Sequence, residues 1–302
     1  MERGNRIVYL AALIYCFITG LSFLFVKIAL PVAQPLDILA HRFSAALIAI
    51  LLFILLRPTE INYSFNKLKK ILPLTLFHPL MFFAFQTYGL QYATSSEGGI
   101  LSASIPIFTL ILATIFLKER TTILQKISVL ASVSGVIYIA LMKGTSFEGS
   151  SILGIVLLLI SNLSFSSYSV LARKMTRDYT ALELSLTMII VSCISFNALA
   201  IFNNVRAGTL SAYFSPLTNL PFLLSILYLG ILSTLVTFLL SNYILSKIEA
   251  SKMSVFTNLS TVISIIAGVV FLREAIHYYH IIGSLLIVGG VLGTNFLGKS
   301  KK

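Results

Sequence analysis

Ten runs of mostly apolar residues, each close to twenty long, constrain this chain more than any other feature. They cover 7–30, 36–56, 71–90, 98–117, 123–141, 152–171, 182–202, 222–245, 255–272 and 281–297. A helix of about 20 apolar residues crosses the hydrocarbon core of a bilayer, where no water is present to satisfy exposed backbone groups. Only 11% of the residues are charged, against about 25% in a soluble domain. A water-soluble enzyme is therefore excluded, and 22 Phe and 13 Tyr exclude a disordered chain. Cys16 and Cys193 both lie in apolar runs and read as small buried side chains rather than a disulfide framework. The first run is too long for a cleaved leader, shows no small-residue cleavage pattern, and reads as a retained span.

The formal charge of +12 suggests nucleic acid only if it gathers on one face. Instead it sits between the runs. With the N-terminus inside, 17 of the 22 Lys and Arg fall in inner segments, and Lys143, Arg206 and Arg273 outside. Positive residues stay on the cytoplasmic side, so the charge is a topology signal with both termini in the cytoplasm. The expected partners are the lipid bilayer and a small-molecule substrate, without nucleic acid, and with the chain as a monomer or homodimer.

Shifting the chain by 155 positions superposes Phe116-Leu117-Lys118-Glu119 on Phe271-Leu272-Arg273-Glu274, Tyr88 on Tyr243, and Gly135-Val136 on Gly290-Val291. A shift of 142 superposes Leu21-Ser22-Phe23 on Leu163-Ser164-Phe165. The expected units are residues 7–141 and 152–297. Each holds five spans, and an odd number forces the second unit upside down relative to the first. The predicted fold is thus an all-α integral membrane protein of ten transmembrane helices, arranged as two inverted five-helix repeats. Secondary carriers use this construction, with substrate bound near the midplane between the repeats.

Gly20-Leu21-Ser22-Phe23 with Lys27, Arg42-Phe43, Pro106 and Leu117-Lys118-Glu119 make the chain resemble the EamA-type transporters of the drug/metabolite transporter superfamily. The likeness spans essentially the whole chain. It implies the five-plus-five architecture and export or exchange of small metabolites such as amino acids across the cytoplasmic membrane. Thr261 departs from the family pattern, which often has proline there, as does the absence of Trp.

Lys27 and Arg42 stand out because an ionised group near the bilayer centre costs about 2.5–3.5 kcal/mol on insertion scales. Lys27 reads either as a cavity cation or as a snorkelling anchor. Arg42 lies about 10 Å into its span and reads as a cavity residue able to grip an anionic or carboxylate-bearing solute bidentately. His78, Phe82, Phe85 and Gln86 recur at helical spacing; His78 reads as a substrate or proton contact, or as a cap for the carbonyl freed by Pro79. Asn162, Asn242 and Asn258 place amides deep in apolar runs, where they read either as substrate contacts or as glue between helices. Tyr168, with Phe165 and Ser161, forms a further stripe. Gly20, Gly98, Gly99 and Pro106 mark close packing or a hinge.

No acid lies in mid-span, so the expectation is a facilitator, an exchanger, or coupling through the substrate or His78. Membrane-embedded catalysis lacks its usual signs: there is no His-Glu-x-x-His, no paired carboxylates in a span and no Cys/His cluster. His277 and His280, three apart, read as interfacial residues rather than metal ligands, and no cofactor is expected. A lipid-headgroup flippase and a membrane-embedded enzyme remain the alternatives to a metabolite carrier.

Overall fold

The computed structural model describes residues 3–56, 65–116, 122–144 and 149–296, and every element among them is helical. The elements are α1 (Arg3–Ala29), α2 (Pro35–Leu56), α3 (Phe65–Thr75), α4 (Phe82–Tyr92), α5 (Ser95–Ser102), α6 (Ile105–Phe116), α7 (Ile123–Gly144), α8 (Gly149–Met175), α9 (Ala181–Ala207), α10 (Leu210–Phe214), α11 (Leu220–Leu227), α12 (Thr237–Lys247), α13 (Ala250–Leu272) and α14 (Tyr278–Phe296). Two π-helical segments, Leu76–Met81 and Tyr228–Val236, join α3 to α4 and α11 to α12.

Among the described residues seven helical stretches are long and apolar enough to cross a membrane: Arg6–Ala29, Pro35–Leu56, Lys69–Tyr92, Ser95–Phe116, Ile152–Met175, Ala181–Ala207 and Leu220–Lys247. Shorter apolar stretches follow at Leu259–Leu272 and Tyr278–Gly290. The chain is a multi-pass membrane protein, and its surface agrees. In α1, Ile7, Leu10, Leu13, Ile14 and Phe17 are exposed at helical spacing, a stripe that hydrocarbon can cover.

Local chemistry sets the ends. Thr94 and Glu97 form a capping box before α5, as do Thr180 and Glu183 before α9, so each pair satisfies two donors that the first turn leaves free. Gly208, at φ 67°, closes α9 in the left-handed conformation that glycine adopts without cost.

Two of the spans are not continuous helices. In the third, His78 leaves helical backbone (φ −143°, ψ 117°) within Leu76–Met81. The fourth divides into α5 and α6 at Ala103 and Ser104, just ahead of Pro106. The helices pack α1 on α13, α4 on α8, α5 and α6 each on both α8 and α13, α2 on α9 and α7 on α14. Glycines allow the closest of these approaches. A Cβ on Gly20 would come within 2.8 Å of the Ser260 carbonyl, and one on Gly99 within 2.5 Å of the Ser264 Cβ.

Candidate functional site

A cavity opens among α1, the His78 segment, α4, α5, α6, α8, the second π segment, α12 and α13. It is narrow: about 40 Å³ is open to the centre of a water molecule. At ~15 Å³ per water that holds roughly three waters, so a metabolite enters only if the walls move.

The wall has two chemical faces. Hydroxyls come from Tyr15, Thr19 and Ser22 on α1, from Ser233 in the second π segment, from Thr237 and Ser241 on α12, from Thr257 and Ser260 on α13, and from Ser102. Rings come from Phe23, Phe82, Phe83, Phe165 and Phe238, with His78 and Gln86 between. His78 sits inside this aromatic box: its ring centroid lies 4.5 Å from Tyr168, 4.8 Å from Phe238 and 5.0 Å from Phe82. Its Nδ1 is buried without a hydrogen-bond partner among the described residues. No carboxylate lines the cavity among the described residues.

His78, Phe82 and Gln86 of the stripe on the third span face the cavity, while Phe85 does not; Phe83 lines it instead. Arg42 stands behind the wall. It is 1% exposed and donates from Nε to Thr234 Oγ1 at 2.7 Å and from Nη2 to the Ser233 carbonyl at 2.8 Å and Ser233 Oγ at 3.0 Å. Its guanidinium lies 3.9 Å from the centroid of Phe83. Arg42 therefore holds two wall residues, Ser233 and Phe83, while its Nη1 has no hydrogen-bond partner among the described residues. Neighbouring His41 points elsewhere, donating to the Tyr213 carbonyl at 2.8 Å and meeting the Tyr213 ring at a tilt, with centroids 4.4 Å apart.

Lys27 lies away from the cavity wall. Its ammonium donates to the carbonyls of Leu90 (2.9 Å) and Ala93 (3.0 Å) where α4 ends, the position at which a helix terminus attracts a cation. Two of the asparagines bind helices together. Asn162 donates to the Leu101 carbonyl at 2.8 Å and to Ser104 Oγ at 3.2 Å, and Ser166 donates to the Ile105 carbonyl at 3.1 Å, which together satisfy the break between α5 and α6. Asn242 accepts from Tyr168 Oη at 2.9 Å and donates to Ser185 Oγ at 3.0 Å, tying α8, α12 and α9. The side chain of Asn258 lies outside the described residues. Gly98 packs on Phe23, where an added Cβ would meet the ring at 2.8 Å.

Three of the acids at span ends make structural contacts. Glu97 and Glu183 complete the capping boxes, and Asp37 accepts from Asn204 Nδ2 at 2.8 Å. His277 and His280 do not form a metal site with a third ligand among the described residues. His280 Nε2 instead faces Glu97 Oε1 at 3.5 Å.

The hydroxyl face went unread in the sequence. Its signal was Tyr15, Thr19 and Ser22, spaced four and three apart, and Ser233, Thr237 and Ser241, spaced four apart. In apolar runs, this periodicity gathers hydroxyls on one face.

The model of the EamA-like transporter family matches twice, over residues 6–141 and 152–296. The chain is 48% identical over 287 residues to the uncharacterized transporter YcxC of Bacillus subtilis (strain 168), covering 95% of this chain and 92% of that protein. It is 27% identical over 272 residues to an uncharacterized transporter of Archaeoglobus fulgidus, covering 90% and 92%. A solved crystal structure shares the fold at 17% identity, with a TM-score of 0.68 over 99% of this chain and 100% of the other.

Proposed function

The chain belongs to the EamA-like transporter family, and from that premise we propose that it is a secondary carrier. It moves a small polar or anionic metabolite, of the amino-acid kind, out across the cytoplasmic membrane by alternating access. The observation that carries the reading is the cavity, whose wall is drawn from both matched stretches, 6–141 and 152–296. A carrier needs its site between two units that can rock against each other.

The architecture in this reading is ten spans in two inverted repeats, with both termini cytoplasmic. Two features support it. The shift of 155 that aligns Lys118-Glu119 with Arg273-Glu274 also carries Leu76–Met81 onto 231–236, within the second π segment Tyr228–Val236. The helix pairs also exchange under the repeat: first with ninth becomes sixth with fourth, and third with sixth becomes eighth with first, both of which are in contact.

The cavity chemistry favours the solute class. Nine hydroxyls, Gln86 and His78 offer donors and acceptors to a polar group, the rings take an apolar part, and no wall carboxylate among the described residues repels an anion. Arg42 contributes from behind, through Ser233, Phe83 and its positive charge. Lys27, Asn162, Tyr168 and Asn242 act in this reading by holding the helices that shape the site. The test is uptake of a metabolite panel into proteoliposomes, with counterflow to separate exchange from leak. Wild type should move at least one amino acid or related anion, and Gln86→Ala and Ser233→Val should slow it. Flux of labelled lipid headgroup alone would establish a flippase, and the absence of any flux would overturn the carrier.

A further inference from the structure

We propose that α5 is the outer gate of the cavity and that Glu274 is its latch, an inference that rests on the alternating-access reading. α5 is an eight-residue helix that is buried throughout. One end reaches the cavity at Ser102, and Gly98 rests on Phe23, a wall residue. The other end is the turn after α4, on the side assigned to the outside. α5 thus stands between the cavity and that surface. The helix is cut from α6 at Ala103 and Ser104, where Asn162 and Ser166 satisfy the carbonyls of the break. A short segment with a satisfied break can tilt without unravelling its neighbour.

What holds the free end comes from elsewhere in the chain. Arg273, at φ 55°, turns the chain at the end of α13, and the Glu274 carboxylate then lies on the first turn of α5. It accepts from Ser95 N at 2.7 Å, Ser96 N at 2.8 Å and Ser96 Oγ at 2.6 Å. Two backbone donors at the start of α5 are thus capped from the other half of the chain, and the negative charge sits at the positive end of the helix. Ser264 donates to the Ser95 carbonyl at 2.9 Å, His280 faces Glu97, and Lys27 binds the Leu90 and Ala93 carbonyls just before the turn. Residues from α1, α13, the segment after it and α14 all grip one turn. Glu274 is only partly buried, so water can replace its bonds when α5 leaves. Gly268 makes room for the arrangement: a Cβ there would collide with the Glu274 carboxylate and Ser96 Oγ.

The test is cavity accessibility. In a Cys16→Ala, Cys193→Ala background, Thr19→Cys on the wall is labelled by a membrane-impermeant maleimide, from outside in intact cells and from inside in inverted vesicles. Glu274→Gln and Gly268→Ala, each checked for monodispersity, should raise the outer labelling rate about tenfold relative to the inner rate, as expected for weakened charge-assisted bonds. Gly268→Ala is a favourable helix substitution apart from its collisions with the carboxylate and with Ser96 Oγ, which donates to it, so it reports on the latch even if Glu274→Gln folds poorly. Inner labelling with an outer rate unchanged in both variants, or a parent labelled as fast from outside as the variants, would overturn the latch alone. Labelling from neither face in any protein would overturn the carrier reading and the latch with it.

Discussion

Replacement of Arg42 by methionine, alanine and lysine should give an order of stability opposite to that expected from conserving charge. The guanidinium makes three hydrogen bonds and one ring contact, but every acceptor is neutral, and no carboxylate bonds to it among the described residues. The bonds and the cation–π contact contribute on the order of 5 kcal/mol gross, and desolvating the charge returns several of these. Methionine removes bonds and charge together while filling most of the space, for a net loss of about 0–2 kcal/mol. Thr234 and Ser233 keep local partners, since Thr234 Oγ1 donates to the Leu229 carbonyl and Thr237 Oγ1 donates to the Ser233 carbonyl. Alanine adds a cavity and should cost about 2–4 kcal/mol. Lysine keeps the charge but not the planar fork that reaches Thr234 and Ser233 at once, leaving a poorly compensated ion or forcing it to shed its proton, for about 3–5 kcal/mol. At roughly 2–4 °C per kcal/mol, the lysine protein should melt some 6 °C or more below wild type. The chain has no Trp, so melting is best followed by fluorescence-detected size exclusion of a tagged protein after heating. A lysine variant more stable than the methionine variant would refute the reasoning, because it would mean that the charge itself is paired in the folded protein.

Asn162→Leu should lower the melting midpoint by the equivalent of about 1–3 kcal/mol, because Ser104 Oγ loses its amide donor and the Leu101 carbonyl keeps only the Ser104 backbone N–H; a neutral result in the same assay would mean the break is satisfied otherwise. Gly99→Leu should abolish monodisperse expression, whereas Gly99→Ala should cost about 1–3 kcal/mol, since Ser264 stands where the new carbon would go. Outside the spans, burial pushes the Tyr213 phenol up to about 12, with negative charge at Asp37 and Cys193 adding to the rise. A raised value means that the folded state holds the proton more tightly. This contribution is complete below about pH 10 and is lost as pH climbs toward 12, so wild type should lose stability across that window and Tyr213→Phe should lose less.

The apolar runs were legible because a bilayer demands about twenty apolar residues whatever their order. The interruptions were legible in part. Pro79 locates one, because the residue before a proline is pushed out of helical backbone and His78 leaves the helix there, whereas Pro106 marked only a neighbourhood and α5 parts from α6 where Asn162 and Ser166 reach. Arg42 could be read as a buried cation, yet its position behind the wall depends on the π segment of a helix nearly two hundred residues away. Lys27 lies in the last turn of α1, while its partners, the carbonyls ending α4, are set by how the first and third spans cross. Glu274 was visible only as the repeat mate of Glu119, whose structure lies outside the described residues. That it caps α5 follows from tertiary packing alone.

Everything about access from two sides depends on the second half being inserted upside down. Single cysteines in place of Lys118 and Arg273, which the shift of 155 makes counterparts, measure this directly when labelled in intact cells with a membrane-impermeant reagent. Arg273→Cys should react at once and Lys118→Cys only after the membrane is opened; reaction of both, or of neither, before opening would mean that the two halves are not inserted in opposite senses.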